Sequence, residues 1–414
     1  MKIKSIVKTT LLLVLLASVS FYTCLKEMKE PTKRVLTDEE LRVKADSLAQ
    51  NIIIVDTHID VPYRLNEKWE DISTFAYGGE FDFPRAKQGG LNAAFMSIYT
   101  PSRYEGTDKS KKTADKLISD VENIVKNNPD KFALVYTVSD IINQFNSGVI
   151  SLPMGMENGS PIEGKIENLK YFYDRGIRYI TLAHAKSNHI SDSSYDPERK
   201  WNGLSTFGEE VVKEMNRLGI MVDVSHLTDS AFYDVLKITK VPVMASHSSC
   251  RYFTPGFERN MSDEMIKALA ENGGVIQINF GSEFLSGEIM NRKKQISSYI
   301  AKHTRENNLT GDEARKFRQQ YLKENHPGYA DVKDAVAHID HVVKLVGIDH
   351  AGLGSDFDGV GDSLPEGLKD VSQYPNLIYE LLKAGYSDED IKKICSDNVL
   401  RVWSAVEQYA SGLE

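Results

Sequence analysis

Cysteine is scarce, with three in 414 residues. Cys24, Cys250 and Cys395 are too few for a disulfide framework and match no zinc-cysteine spacing, so stability must come from a buried core. Positive charge is also in short supply: 50 Lys and Arg against 59 Asp and Glu give a formal net charge of -9, with a pI of about 5.7. No run of basic residues offsets that balance, which argues against nucleic acid as a partner, because phosphate binding needs a basic face. The N-terminus lacks a bilayer-spanning run. Its apolar core at 11–17 is shorter than the roughly 18 residues a span requires, and with Lys2, Lys4 and Lys8 ahead of it reads as an export signal.

Cleavage after Ser20 and acylation of Cys24, the lipid anchor of a bacterial lipoprotein, are both open at this point. Either leads to an exported protein, periplasmic or anchored at the outer membrane of a bacterium. Residues 1–24 are then the signal. The charged stretch 25–36, with Pro31, reads as a tether, and 37–414 as one domain.

From residue 37 onward, apolar runs of strand length alternate with stretches of helical period. Thr37 with Glu40 opens the first helix. Strands are expected at 52–55, 93–98, 150–156, 178–183, 220–224, 241–245, 275–279 and 351–354, with 132–136 ambiguous. Helices are expected at 109–127, 165–175, 206–218, 229–238, 262–271 and 331–346, with two more closing the chain. Strands alternating with helices in this way specify an α/β fold, a (β/α)8 TIM-type barrel. After the seventh strand, 281–328 is polar, partly helical and longer than a connection needs, and reads as a lid or an oligomer contact.

Chemistry-bearing residues recur where the strands end: His58 and Asp60, Glu157, His184, His226, His247 and Asp356. Each alone has a bland explanation, a loop hydrogen bond or a turn. In an α/β barrel, however, the carboxyl ends of the strands meet around one mouth, so these residues converge. Nitrogen and oxygen donors without thiolate suit zinc, with manganese or cobalt as alternatives. The set oversupplies one ion. Two ions can share Glu157 as a bridge and hold a hydroxide between them, since metal coordination lowers the pKa of water towards neutrality. The expected reaction is hydrolysis at a carbonyl or phosphoryl centre.

Several segments in order resemble the membrane (renal) dipeptidases, zinc metallopeptidases of the amidohydrolase-like barrels. They are Val55-Asp56-Thr57-His58-Ile59-Asp60, Gly155-Met156-Glu157-Asn158-Gly159, Tyr179-Ile180-Thr181-Leu182-Ala183-His184, Val222-Asp223-Val224-Ser225-His226, Ser246-His247-Ser248-Ser249, Arg259-Asn260 and Gly354-Ser355-Asp356-Phe357-Asp358-Gly359. The resemblance implies two Zn2+ per chain, one held by His58, Asp60 and Glu157, the other by Glu157, His226 and His247. It implies that His184 polarises the scissile carbonyl, that Arg259 pairs with the substrate's terminal carboxylate, and that Asp356 acts as general base and then acid. Asp358 is expected to shape its loop. The implied substrates are Xaa-Yaa dipeptides, with a D-residue tolerated at the second position, and a homodimer follows by analogy alone. Two rivals stand beside this reading: a related amidohydrolase acting on N-acyl amino acids or lactones, and a non-catalytic lipoprotein that captures peptides. The 281–328 insertion does not follow the family pattern.

Overall fold

Parallel strands carry the architecture. A computed structural model describes residues 36–413, so the signal, Cys24 and all but the last residue of the tether lie outside the described residues. Arg42–Glu414 form one unit. Its strands are β1 (Val55–Ile59), β2 (Ala93–Tyr99), β3 (Phe132–Leu134), β4 (Ile150–Leu152), β5 (Met154–Glu157), β6 (Ile177–Thr181), β7 (Met221–Asp223), β8 (Met244–Ser248), β9 (Val275–Ile278) and β10 (Ala351–Leu353).

Eight of them make the barrel, in the order β1-β2-β5-β6-β7-β8-β9-β10. The ring closes through an isolated bridge between Ile59 and Phe357, where Asp60 N donates to Phe357 O at 2.9 Å and Asp356 N to His58 O at 3.0 Å. The expected (β/α)8 barrel is therefore the observed one. The strand expected at 150–156 is broken at Pro153, whose missing N–H interrupts the ladder. Its first half, β4, pairs with β2 at Ala93 and with the extra strand β3, which is where the ambiguous 132–136 run goes.

The two ends of the barrel differ in chemistry. Val55, Ala93, Met221, Met244 and Val275 each begin a strand, and they pack in one apolar cluster with Val399, Val402, Trp403 and Val406 of the C-terminal helix Asn398–Ser411. That helix plugs the amino end of the barrel, and burying a side chain such as Trp403 contributes about 3 kcal/mol. Polar residues are thus left for the carboxyl end.

Two strands sit about one turn later in sequence than their apolar runs suggest. The helix Asp38–Asn51 runs almost into the 52–55 segment, and Ile54 N is held by Asn92 Oδ1 at 2.8 Å, so 52–54 of the β-branched run form a connection and only Val55 enters the strand. β1 instead continues through Asp56, Thr57 and His58, all buried. The barrel accepts them because partners exist: Asp56 Oδ1 takes protons from His58 N and Ser355 N, at 3.1 and 3.0 Å. Likewise β8 starts at Met244, past Pro242, and His247 lies within the strand rather than after it.

The 281–328 stretch follows β9, the seventh barrel strand. It forms a short helix, Ser282–Leu285, and then a helical hairpin of Gly287–Glu306 and Gly311–Glu324. Ring stacking joins the two arms, Tyr299 on Tyr321 at 4.6 Å and His303 on Phe317 at 4.1 Å.

Candidate metal centre

All the strand-end residues named from the sequence meet at the carboxyl end of the barrel. Glu157, the last residue of β5, stands at the middle with 3% exposure. Its Oε2 faces His58 Nε2 at 3.5 Å, and His58 Nε2 lies 3.6 Å from Asp60 Oδ2. Its Oε1 faces His226 Nε2 at 3.2 Å, His247 Nε2 at 3.4 Å and His184 Nε2 at 3.4 Å. One carboxylate therefore addresses two donor groups, one with each oxygen. Ligand atoms close enough to share an ion occur in three combinations: His58, Glu157 and His247; Glu157, His184 and His226; His58, Asp60 and Asp356.

Local backbone strain aims these side chains. His226 and Asp356 hold φ of 68° and 64°, the left-handed region that a residue with a Cβ seldom enters without support. Deeper groups orient the other imidazoles of the cluster. Ser246 Oγ gives its proton to Asp223 Oδ2 at 2.6 Å, so at 2.7 Å it must accept from His247 Nδ1, which leaves the lone pair on Nε2. Tyr179 OH contacts His58 Nδ1 at 2.8 Å, and His58 Nε2 is left buried without a partner.

Electrostatics pulls the same residues apart. Burial, with the Arg259 cation next in rank, holds His226 well below the ordinary histidine range. Burial, then His58 and Arg259, does the same to His247. Their Nε2 atoms lie 2.9 Å apart. Two neutral imidazoles presenting nitrogens to one carboxylate oxygen make a donor set for a cation. Burial would raise Glu157, but the surrounding imidazoles, His184 and His58 first, hold it well below its usual value, hence ionised. For His58, burial is outweighed by Tyr179, Glu157 and Asp60, which raise it. The set fits divalent metal on its own chemistry: nitrogen and carboxylate donors, a buried unpartnered imidazole nitrogen, and side chains oriented from behind.

Above this cluster lies a cavity of about 460 Å3. His184 faces it with a side chain 20% exposed, against 0, 5 and 1% for His58, His226 and His247. Asp356 lines it too. Asn279 Nδ2 donates to Asp356 Oδ2 at 2.7 Å, and burial followed by the nearby Asp60 pushes this carboxyl up to about 7. Asp358 ties the loop, accepting from Glu80 N at 2.6 Å and Arg64 Nε at 2.7 Å. Arg259 is buried beside the centre, not in the cavity's lining. Its Nη1 donates to Ser248 Oγ at 2.6 Å and its Nη2 to His247 O at 2.7 Å, Nε has no partner, and its guanidinium lies 5.3 Å from the Phe284 ring that does line the cavity.

Four supporting residues escape the sequence reading. Tyr179 and Ser246 look like ordinary strand and turn residues, whereas Asp223 and Asn279 leave a trace. Asp223 is an acid inside the apolar run Val222-Asp223-Val224, and Asn279 is the polar residue closing 275–279, one of the two expected strands, with 93–98, left without a candidate. Of the other histidines, His338 is a satisfied core residue, accepting from Cys250 N at 2.9 Å with its other nitrogen 3.1 Å from Leu285 O.

Imidazoles and carboxylates gathered at the carboxyl mouth of a (β/α)8 barrel define an α/β-barrel metallohydrolase. The chain belongs to the membrane dipeptidases, peptidase family M19, whose sequence profile matches residues 42–414. It is 34% identical to the dipeptidase aclJ of Aspergillus oryzae over 342 residues, 81% of this chain and 72% of that one. It is 32% identical to an uncharacterized dipeptidase of Schizosaccharomyces pombe over 384 residues, 86% of this chain and 81% of that one. Among solved structures, the probable dipeptidase PvdM of Pseudomonas aeruginosa superposes with a TM-score of 0.78 at 25% identity, over 90% of this chain and all of that one. A metallopeptidase of Rhodobacter sphaeroides, liganded with a phosphinate mimic of L-Ala-D-Ala, shares the fold with a TM-score of 0.71 at 23% identity, over 86% of this chain and 99% of that one.

Proposed function

We propose that this member of the family is a zinc-dependent dipeptidase that hydrolyses Xaa-Yaa dipeptides, including those with a D-residue second, at a centre of two Zn2+. The observation that supports it best is Glu157, whose two oxygens face separate donor groups. His58, Asp60 and Glu157 would hold one ion, and Glu157, His226 and His247 the other. When bound, the pair supplies Lewis acidity and a water made nucleophilic near neutral pH.

This chain's own side chains do the rest. His184, kept neutral by burial, offers Nε2 as a hydrogen-bond donor to the scissile carbonyl oxygen and to the negative charge that develops there. Asp356 has Oδ2 fixed by Asn279, which leaves Oδ1 to take the proton of the attacking water and deliver it to the departing amine. Arg259 keeps Nε and the second N–H of each Nη for the dipeptide's carboxylate. Export through the 1–24 segment, with cleavage after Ser20 or a lipid anchor at Cys24, and assembly as a homodimer belong to the same proposal. Among the described residues no helix is long and apolar enough to cross a membrane.

The test pairs metal content with turnover. Purified protein should carry about two zinc ions per chain by elemental mass spectrometry and hydrolyse L-Ala-D-Ala, whereas E157Q should lose metal and at least about a thousandfold in kcat/KM. Full occupancy and rate in E157Q would overturn the bridge. Turnover of N-acyl amino acids or lactones but not dipeptides would favour the related-amidohydrolase reading instead.

A further inference from the structure

One wall of the catalytic cavity is built by Glu283, Phe284, Lys293 and Val360. Lys293 and Val360 also line a second, larger cavity of about 1130 Å3, which lies between the arms of the helical hairpin and the segments at 326–329 and 360–363. The two spaces therefore share side chains. Lys293 is held at that shared wall by an ion pair with Glu283.

The charge of the larger cavity runs against that of the chain. Its lining takes in Lys293, Arg305, Arg318 and Lys323, and its one carboxylate, Asp362, already accepts from the Tyr329 hydroxyl at 2.7 Å. Of the acids near them in sequence, Glu288 pairs with Arg292, Glu306 with Lys302 and Asp312 with Arg315, and Glu324 accepts from Gln320. Among the described residues no carboxylate forms an ion pair with Arg305, Arg318 or Lys323. Unpaired cations thus gather beside the active site of a protein whose formal charge is -9.

We propose that this cavity is a subsite for an anionic side chain on the C-terminal residue of the dipeptide, so that the enzyme prefers acidic substrates. The inference rests on the reading of Arg259 as the carboxylate anchor. Arg259 lies against Phe284, Phe284 adjoins Glu283, and Glu283 holds Lys293. In this proposal the C-terminal residue, anchored at Arg259, is the one that turns its side chain towards the shared wall. A substrate carboxylate arriving there shares Lys293 with Glu283, and a longer side chain passes on to Arg305, Arg318 and Lys323. The gain should grow with reach and weaken with salt, because these cations are solvent-exposed.

The experiment compares kcat/KM for L-Ala-Yaa with Yaa as Asp, Glu and 2-aminoadipate, in both configurations, against the uncharged isostere Gln. At low ionic strength Glu should exceed Gln by about tenfold, 2-aminoadipate should match or exceed Glu, and the ratio should fall at 0.5 M NaCl. In the triple variant R305A/R318A/K323A, on exposed helical and loop-flanking positions, the Glu to Gln ratio should approach one. Because it is a ratio within one protein, a general loss of activity does not imitate the effect. Equal values for Glu and Gln in the parent, or an unchanged ratio in the variant, with L-Ala-L-Ala still cleaved, would overturn the subsite and leave the dipeptidase reading standing. Absence of turnover of every dipeptide by zinc-loaded protein would overturn both.

Discussion

His226 and His247 show how a side chain's neighbours decide what it does. Each is buried and neutral, and their facing nitrogens stand 2.9 Å apart beside an ionised glutamate. That arrangement suits a cation more than a proton. Asp356 is the opposite case, a carboxyl that burial and the adjacent Asp60 push up to about 7. A folded pKa above the unfolded value of about 3.9 means the native chain binds this proton more tightly. The stability it contributes is complete below about pH 4 and is lost as pH climbs to about 7. The amide of D356N does not titrate. In metal-stripped protein, the melting temperature of D356N relative to the parent should therefore rise between pH 4 and 7 and level off above. A relative melting temperature that stays flat across that range in calorimetry would contradict the assignment. At this scale the candidate ligands were legible, because acids and histidines stand out at the ends of apolar runs. Tyr179, Ser246 and Asp223 were not, since only the folded barrel brings a tyrosine from β6 to His58 and a serine-aspartate relay behind His247.

Strands and their crossings set the precision of the site. Asp356 follows β10, and Gly354 lies where that chain crosses β8. A Cβ at Gly354 would fall 1.9 Å from Ser246 O and 2.9 Å from Thr57 Oγ1. Ser246 precedes His247 and Thr57 precedes His58, so any side chain here pushes on both halves of the centre. G354A should destabilise the protein by about 3 kcal/mol or more and weaken zinc binding, read by denaturant titration and by competition with a chelator; native-like values in both would sink this account. The misplaced strands have one cause. Apolar β-branched runs mark where a strand could lie, but β1 and β8 extend into polar sequence because Asp56, Thr57 and Ser246 find partners inside the barrel. The hairpin at 281–328 was visible as an insertion, and its arms, with no buried residue in Gly311–Glu324, leave the cleft beside the active site open.

Taken whole, the molecule has an apolar amino end sealed by the Asn398–Ser411 helix and a polar carboxyl end where neutral imidazoles face carboxylates. A metal that binds only the folded arrangement stabilises it by mass action, about 4 kcal/mol when free metal is a thousand times the dissociation constant. Dialysis against a strong chelator should lower the melting temperature by several degrees, and adding back zinc should restore it along with dipeptide turnover. Identical melting curves with and without chelator would remove the metal from the folded state altogether.

What the amino-acid order determined by itself is the alternation of strand and helix, the number of barrel strands, the residue types at their ends and the family they resemble, because periodicity and composition are local properties of the chain. What only the tertiary structure decided is which oxygen of Glu157 faces which histidine, which nitrogen of His247 is free, and that the insertion's cations border the catalytic cavity. Those are distances between residues as many as about 300 positions apart, such as Asp56 and Ser355, and only closure of the barrel brings them within a hydrogen bond of each other.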